Sequence, residues 1–192
     1  NFKQKRDNLS APPSDAEKTL ESFGRMFATF CRIATEINVV DKYTYRNLLP
    51  KMDVPNATAR IVHYLSKVPG QVMLHGPDPT KAIGNEIVAS VESREALKLE
   101  LLKAGIEPNF YKLDAQRRGN EEQAVFPHVR YLEFVFDGGN PIVLSLDQGL
   151  DTFGRPGVHT VKEQLTDEEI KEWHKAKRML AVLRIDDRFD GI

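Results

Sequence analysis

His128-Val129-Arg130 is the one place in the chain where a histidine and a basic residue stand two positions apart. On a strand, residues i and i+2 project from the same face, so the imidazole and the guanidinium would point at one spot. A neutral imidazole there could attack or protonate a phosphoryl group while the guanidinium held two of its oxygens. The bland alternative is a solvated or salt-bridged His and Arg with no chemistry. Other chemical patterns are missing: the sequence has no Gly-x-Gly-x-x-Gly, no phosphate-binding Gly-rich loop ending in Gly-Lys, no Cys-x-x-Cys, no His-Glu-x-x-His and no Gly-x-Ser-x-Gly. No cofactor and no metal is therefore expected.

The elements that must position this triplet are read from pattern. Val125 to Gly154 holds two apolar, β-branched and aromatic runs joined by Asp137-Gly138-Gly139-Asn140, which predicts a hairpin opening at His128 and ending in Gly149-Leu150-Asp151-Thr152-Phe153. Upstream, Ser14 to Glu17 has the spacing of a capping box, and Leu20, Phe23, Phe27, Phe30, Cys31 and Ala34 line one face of the helix it starts. Cys31 is read as a small core residue of that face. Glu36 to Asp41 predicts a buried strand followed by an acidic-aromatic loop containing Tyr43, whose end could face a site. Pro50 and Pro55 break the next stretch, so a helix is expected from about Thr58, with His63 structural.

Gln71 to Leu74 predicts a strand whose end, His75-Gly76-Pro77-Asp78-Pro79, reads as a turn. His75 becomes a site candidate because open α/β sheets bind ligands at the carboxyl ends of their strands. Helical spacing runs from Ile87 to Ala104 through Val91, Leu97, Leu101 and Leu102, stops at Gly105, and gives way to a strand over Ile106–Leu113. The polar stretch Asp114 to Gln123 is expected to be an exposed excursion. Thr166 to Glu169 forms a second capping box, and the last helix carries Ile170, Trp173, Lys177, Leu180 and Leu183. Trp173 is expected to pack that helix on the sheet. Strands alternating with helices before an antiparallel hairpin predict an α/β sandwich with a mixed sheet and a C-terminal helix.

The chain of 192 residues is long enough for one sizeable core. Residues 1–13 read as a flexible lead carrying the short basic arm Lys3, Lys5 and Arg6, and 14–192 as a single domain. With 27 basic and 28 acidic residues the formal net charge is -1, so no global positive field draws the chain to nucleic acid or to an anionic membrane. One cysteine leaves no internal disulfide and fits a reducing, cytoplasmic compartment. No apolar run approaches the ~18–20 residues of a membrane span. The first residue is Asn rather than Met, and a piece of a longer protein is expected.

His128-Val129-Arg130, the Gly-bearing turn, the second strand and Gly149-Leu150-Asp151-Thr152-Phe153, preceded by Thr35–Tyr43 as first strand and acidic-aromatic turn, resemble the phospholipase D-like domain at the C-terminus of microtubule-interacting-and-trafficking (MIT) domain proteins. The likeness spans roughly Ser14 to Phe153. It implies a phospholipase D-like α/β fold, a homodimer, and binding to acidic phosphoinositide membranes rather than turnover. The candidate binding residues are Asp41, Tyr43 and Asp151, which lie in the segments that carry the likeness, together with His75 at the end of its own strand. In active members of the wider superfamily two His-x-Lys motifs meet, one histidine becoming a phosphohistidine and the other protonating the leaving group.

This chain departs from both patterns. It has one motif, with Arg for Lys, no Gly-Ser-x-Asn, and Asp137 as the nearest following aspartate. Ser145 and Gln148 stand where the lipid binders carry cations, each worth ~1 kcal/mol at an anionic surface. The first expectation is thus a non-catalytic binding or assembly module with a protein partner or an acidic, phosphate-bearing ligand. The alternatives are a metal-independent phosphodiesterase or nuclease using His128 and Arg130 across a dimer, and a peripheral adaptor binding membrane lipid through the basic arm.

Overall fold

The computed structural model of the protein describes residues 16–49, 56–80, 89–111, 130–146, 149–153, 161–162 and 165–183. Six strands, β1 (Glu36–Val40), β2 (Gln71–Pro77), β3 (Ile106–Tyr111), β4 (Tyr131–Val135), β5 (Ile142–Leu146) and β6 (Val161–Lys162), form one sheet in the order β3-β2-β1-β4-β5-β6. β1, β2 and β3 are parallel, and β4, β5 and β6 continue the sheet antiparallel. The helices are α1 (Ala16–Ile33), α2 (Thr44–Leu48), α3 (Ala57–Leu65), α4 (Val91–Lys103) and α5 (Asp167–Leu183), with a 3₁₀ turn at Gly149–Phe153. The expected α/β fold with a mixed sheet and a C-terminal helix is present.

Alternation along each strand divides the sheet into two unlike faces. Ile37, Val39, Val72, Leu74, Ile106, Phe110, Leu132, Phe134, Leu144 and Leu146 turn to one face and form the main core with Phe23, Met26, Phe27 and Cys31 of α1 and Ile61, Val62 and Leu65 of α3. Phe27 lies 4.9 Å from Phe23 and 5.7 Å from Phe134, and Phe23 meets Phe153 edge-on at 5.2 Å, so a run of aromatic contacts fixes α1 against both sheet and turn. The opposite face is covered by α5 through a small cluster of Val40, Tyr111, Tyr131, Trp173 and Leu180. Trp173 packs on Tyr131 at 4.8 Å, as expected of it.

Cys31 is buried, and burial pushes its thiol up to about 12, so it behaves as the small core residue it was read to be. The hairpin falls where predicted, with Gly138 at φ +65 in its turn. Thr166 and Glu169 close their capping box in both directions: Thr166 N donates to Glu169 Oε2 at 2.8 Å and Glu169 N donates to Thr166 Oγ1 at 3.3 Å. Thr166→Ala is therefore expected to cost about 1 kcal/mol of stability, read as a lowered midpoint in thermal unfolding. An unchanged midpoint would show that the box adds nothing to the docking of α5. The Ser14 cap lies outside the described residues.

Four expectations need correction. β2 runs through His75, Gly76 and Pro77 rather than turning there, because β1 and β3 pair with it on both sides as far as Val40 and Tyr111. Gly149–Phe153 is a 3₁₀ turn rather than a strand end. The acidic-aromatic loop expected after β1 is short, since Thr44–Leu48 forms a helix directly behind Tyr43. Along α4 only Leu101 is buried, while Val91 and Leu102 stand more than half exposed, since that helix flanks the edge of the sheet rather than crossing it.

Candidate functional site

Connectivity singles out one end of the sheet. The links preceding β1, β2 and β3 and the β4–β5 hairpin are tight, whereas the long connections 41–56, 78–90, 112–130 and 147–160 all leave or enter at the carboxyl ends of β1, β2, β3 and β5. That is where open α/β sheets place ligands, beside the point at which consecutive strands part to opposite sides. Here β1 is that point, with β2 on one side and β4 on the other.

Arg130 and Asp41 meet at this end. Val40 pairs with Tyr131 in the antiparallel β1–β4 ladder, so one step beyond the register sets Asp41 beside Arg130. Asp41 Oδ1 stands 3.6 Å from Arg130 Nε and accepts a hydrogen bond from Tyr43 N at 2.9 Å, while the guanidinium lies over the Tyr43 ring, 5.3 Å from its centroid. Leu146 N donates to Arg130 O at 2.8 Å, which ties the start of β4 to the end of β5. The 3₁₀ turn then closes over the carboxylate. Gly149 has φ +60, and a Cβ at that position would sit 1.8 Å from Asp41 Oδ2.

Burial dominates the electrostatics of Asp41, which is only 1% exposed. Desolvation raises its carboxyl from 3.8 to about 6; the Tyr43 amide and the Arg130 charge oppose that rise, and the Asp151 charge adds to it. The folded protein therefore holds this proton at pH values where the unfolded chain has released it. Stability that is full below about pH 4 declines as pH rises through about 6, by on the order of 3 kcal/mol for two pH units at about 1.4 kcal/mol each. Asp41→Asn is expected to flatten this slope, measured as urea midpoints at several pH values. A variant with the wild-type slope would show that another group titrates.

Two other expected binding residues are held by the fold. Asp151 reaches the start of α3: its Oδ1 accepts from Thr58 Oγ1 at 2.9 Å and from Thr58 N at 3.3 Å, and its Oδ2 from Asn47 Nδ2 at 2.8 Å. It joins Asn56, whose Oδ1 accepts from Ala59 N, in satisfying the first amides of that helix. His75 lies on the opposite face of the sheet from Asp41, within a polar row. Its Nδ1 is 2.6 Å from Tyr111 Oη and its Nε2 is 2.9 Å from Asn38 Oδ1. Asn38 Nδ2 donates to Glu36 and Glu133 carboxylates, which fixes its oxygen toward His75, so His75 carries its proton on Nε2 and accepts from Tyr111 at Nδ1. Both ring nitrogens are engaged on that face, so the structure does not bring His75 together with Asp41 and Arg130. His128 lies outside the described residues.

The chain matches no family model, no curated protein and no solved structure. Among the described residues no three His, Cys, Asp or Glu side chains are grouped to hold a metal ion, and no helix is long and apolar enough to cross a membrane.

Sequence reasoning did not pair Arg130 with Asp41, and it did not find the second buried aspartate at this end, Asp78. Asp78 Oδ1 accepts from Thr80 N at 2.9 Å, as Asp41 accepts from Tyr43, and its Oδ2 takes Arg94 Nη1 at 3.1 Å. Arg94 also bonds Glu95 through Nε and Nη2, so both carboxylates neutralise it and it ties α4 to the end of β2. The available signal was an aspartate two residues ahead of a donor just past a predicted strand, a local turn that Asp favours.

Proposed function

We propose that the chain is a non-catalytic, phospholipase D-like binding module that takes an acidic, phosphate-bearing ligand at the carboxyl end of its parallel strands. One observation carries this reading: the three segments that bear the resemblance, the first strand with its acidic-aromatic turn, the Arg of His-x-Arg and the Gly-Leu-Asp segment, meet at the Asp41 carboxylate although they are far apart in sequence. The arrangement holds a guanidinium over an aromatic ring, and the planar fork of that group suits recognition of phosphate oxygens. Asp151 and His75 serve helix and sheet instead, which favours binding over a relay of acid–base groups.

The test is calorimetric titration of the wild-type protein with glycerol phosphate, beside Arg130→Gln and Arg130→Lys, with bis(p-nitrophenyl) phosphate hydrolysis measured in parallel. Saturable binding weakened at least tenfold in both variants is expected, because Lys supplies the charge without the fork. Equal binding by all three proteins refutes the site. Hydrolysis lost on His128→Ala would replace the module by a phosphodiesterase.

A further inference from the structure

We infer that Asp41 is a built-in counter-ion latch on Arg130, so that an anion entering this end of the sheet must take the guanidinium from the Asp41 carboxylate and binds together with one proton. The inference rests on the anion-binding reading above and names how that site is regulated. Its basis is geometric. The contact of Asp41 with Arg130 runs to Nε at 3.6 Å, a long ion pair. Asp41 cannot follow the guanidinium outward, because Tyr43 N holds Oδ1 and the Gly149 backbone closes against Oδ2. When an anion draws Arg130 away, a carboxylate 1% exposed is left without its cation, and burying an unpaired charge is costly. Protonation of Asp41 removes that cost.

The charged groups around it agree. Arg130 comes from just before β4, Asp151 from the 3₁₀ turn, and Lys42 and Tyr43 from the same loop; β2 contributes the uncharged His75 carbonyl, which accepts from Asp41 N at 3.1 Å. Asp151 therefore adds a second negative charge beside Asp41, against which the Arg130 charge acts, and withdrawal of that charge raises the proton affinity of Asp41 further. With its carboxyl already at about 6, the latch would work across the neutral range.

Sulfate is the probe, because its charge is constant between pH 5 and 8. Calorimetric titration of the whole chain at fixed ionic strength is expected to show roughly thirtyfold weaker sulfate binding at pH 7.5 than at pH 5, in proportion to the protonated fraction. Repeating it at pH 7.5 in two buffers of different ionisation enthalpy should show about one proton taken up per sulfate. Asp41→Asn should bind sulfate tightly at both pH values. Wild-type binding that ignores pH and takes up no proton overturns the latch and leaves the anion site standing. A pH dependence that survives in Asp41→Asn assigns the proton elsewhere and also overturns it. No sulfate binding by either protein at any pH refutes the anion site itself. If Asp41→Asn fails to fold, proton uptake by the wild type decides.

Discussion

Gly149→Ala is expected to destabilise the protein by on the order of 3 kcal/mol, far more than a surface Gly→Ala change, and denaturant unfolding measures it. The backbone contributes first: at φ +60 an L-residue pays about 1 kcal/mol that glycine does not. The larger part is steric. The new methyl would stand 1.8 Å from Asp41 Oδ2 and 2.6 Å from its Cγ, far inside contact distance, and overpacking a closed site typically costs 1–3 kcal/mol. Neither side can yield cheaply. If Asp41 turns away, it forfeits the Tyr43 amide and leaves Arg130; if the turn lifts, Asp151 leaves Thr58 and Asn47, and Leu150 and Phe153 leave the core. Gly139→Ala is the control, since a Cβ there meets only Phe136 Cβ at 3.6 Å. Asp41→Ala combined with Gly149→Ala should cost less than the sum of the two, because the first change removes the atoms with which the second collides. A Gly149→Ala loss below about 1 kcal/mol would mean that the turn does not close on Asp41.

The features legible in the sequence were those written locally. The β4–β5 hairpin is spelled by alternation on either side of Asp137-Gly138-Gly139-Asn140, and the α5 cap by Thr166 and Glu169, because the groups that interact lie within a few residues. The site was legible only in part. Tyr43 and Asp41 could be placed at the end of a strand, but no partner was assigned to Arg130, and the fold supplies Asp41 from the end of a strand 89 positions earlier. No spacing rule contains that pairing; it follows from the β1–β4 register, in which Val40 opposes Tyr131. His75 failed for a similar reason. Gly76 and Pro77 read as a turn on local chemistry, yet two flanking strands extend β2 through them, and the ring is claimed by Tyr111 and Asn38 from those strands. Tertiary pairing overrode a local preference in both cases.

Lys177→Met is the second change expected to have a large effect, on the order of 3 kcal/mol, and it tests what holds α5 on the sheet. Glu133 is 1% exposed on the face beneath that helix, and Lys177 Nζ donates to both its oxygens, at 2.9 and 3.2 Å, while lying 5.1 Å from the Trp173 ring. Removing the lysine leaves a buried carboxylate with the Asn38 amide, at 3.0 Å, in place of its cation, and a buried charge stripped of its partner is among the costliest single changes. The half-exposed lysine loses little of its own solvation in the pair, so the penalty falls on Glu133. Adding Glu133→Gln should restore most of the loss, because a neutral amide can still accept from Asn38 and no charge is left unpaired. If Lys177→Met is mild, or if Glu133→Gln does not rescue it, the apolar contacts of Trp173 and Leu180 dock α5 without help from the ion pair. The distinction reaches across the sheet, because Glu133 and Glu36 together orient the Asn38 amide, and that amide sets which nitrogen of His75 carries its proton. Nitrogen-15 NMR of His75 should therefore report the Nε2–H tautomer in the wild type, and its loss in Lys177→Met would trace the coupling from α5 through β4 and β1 to β2.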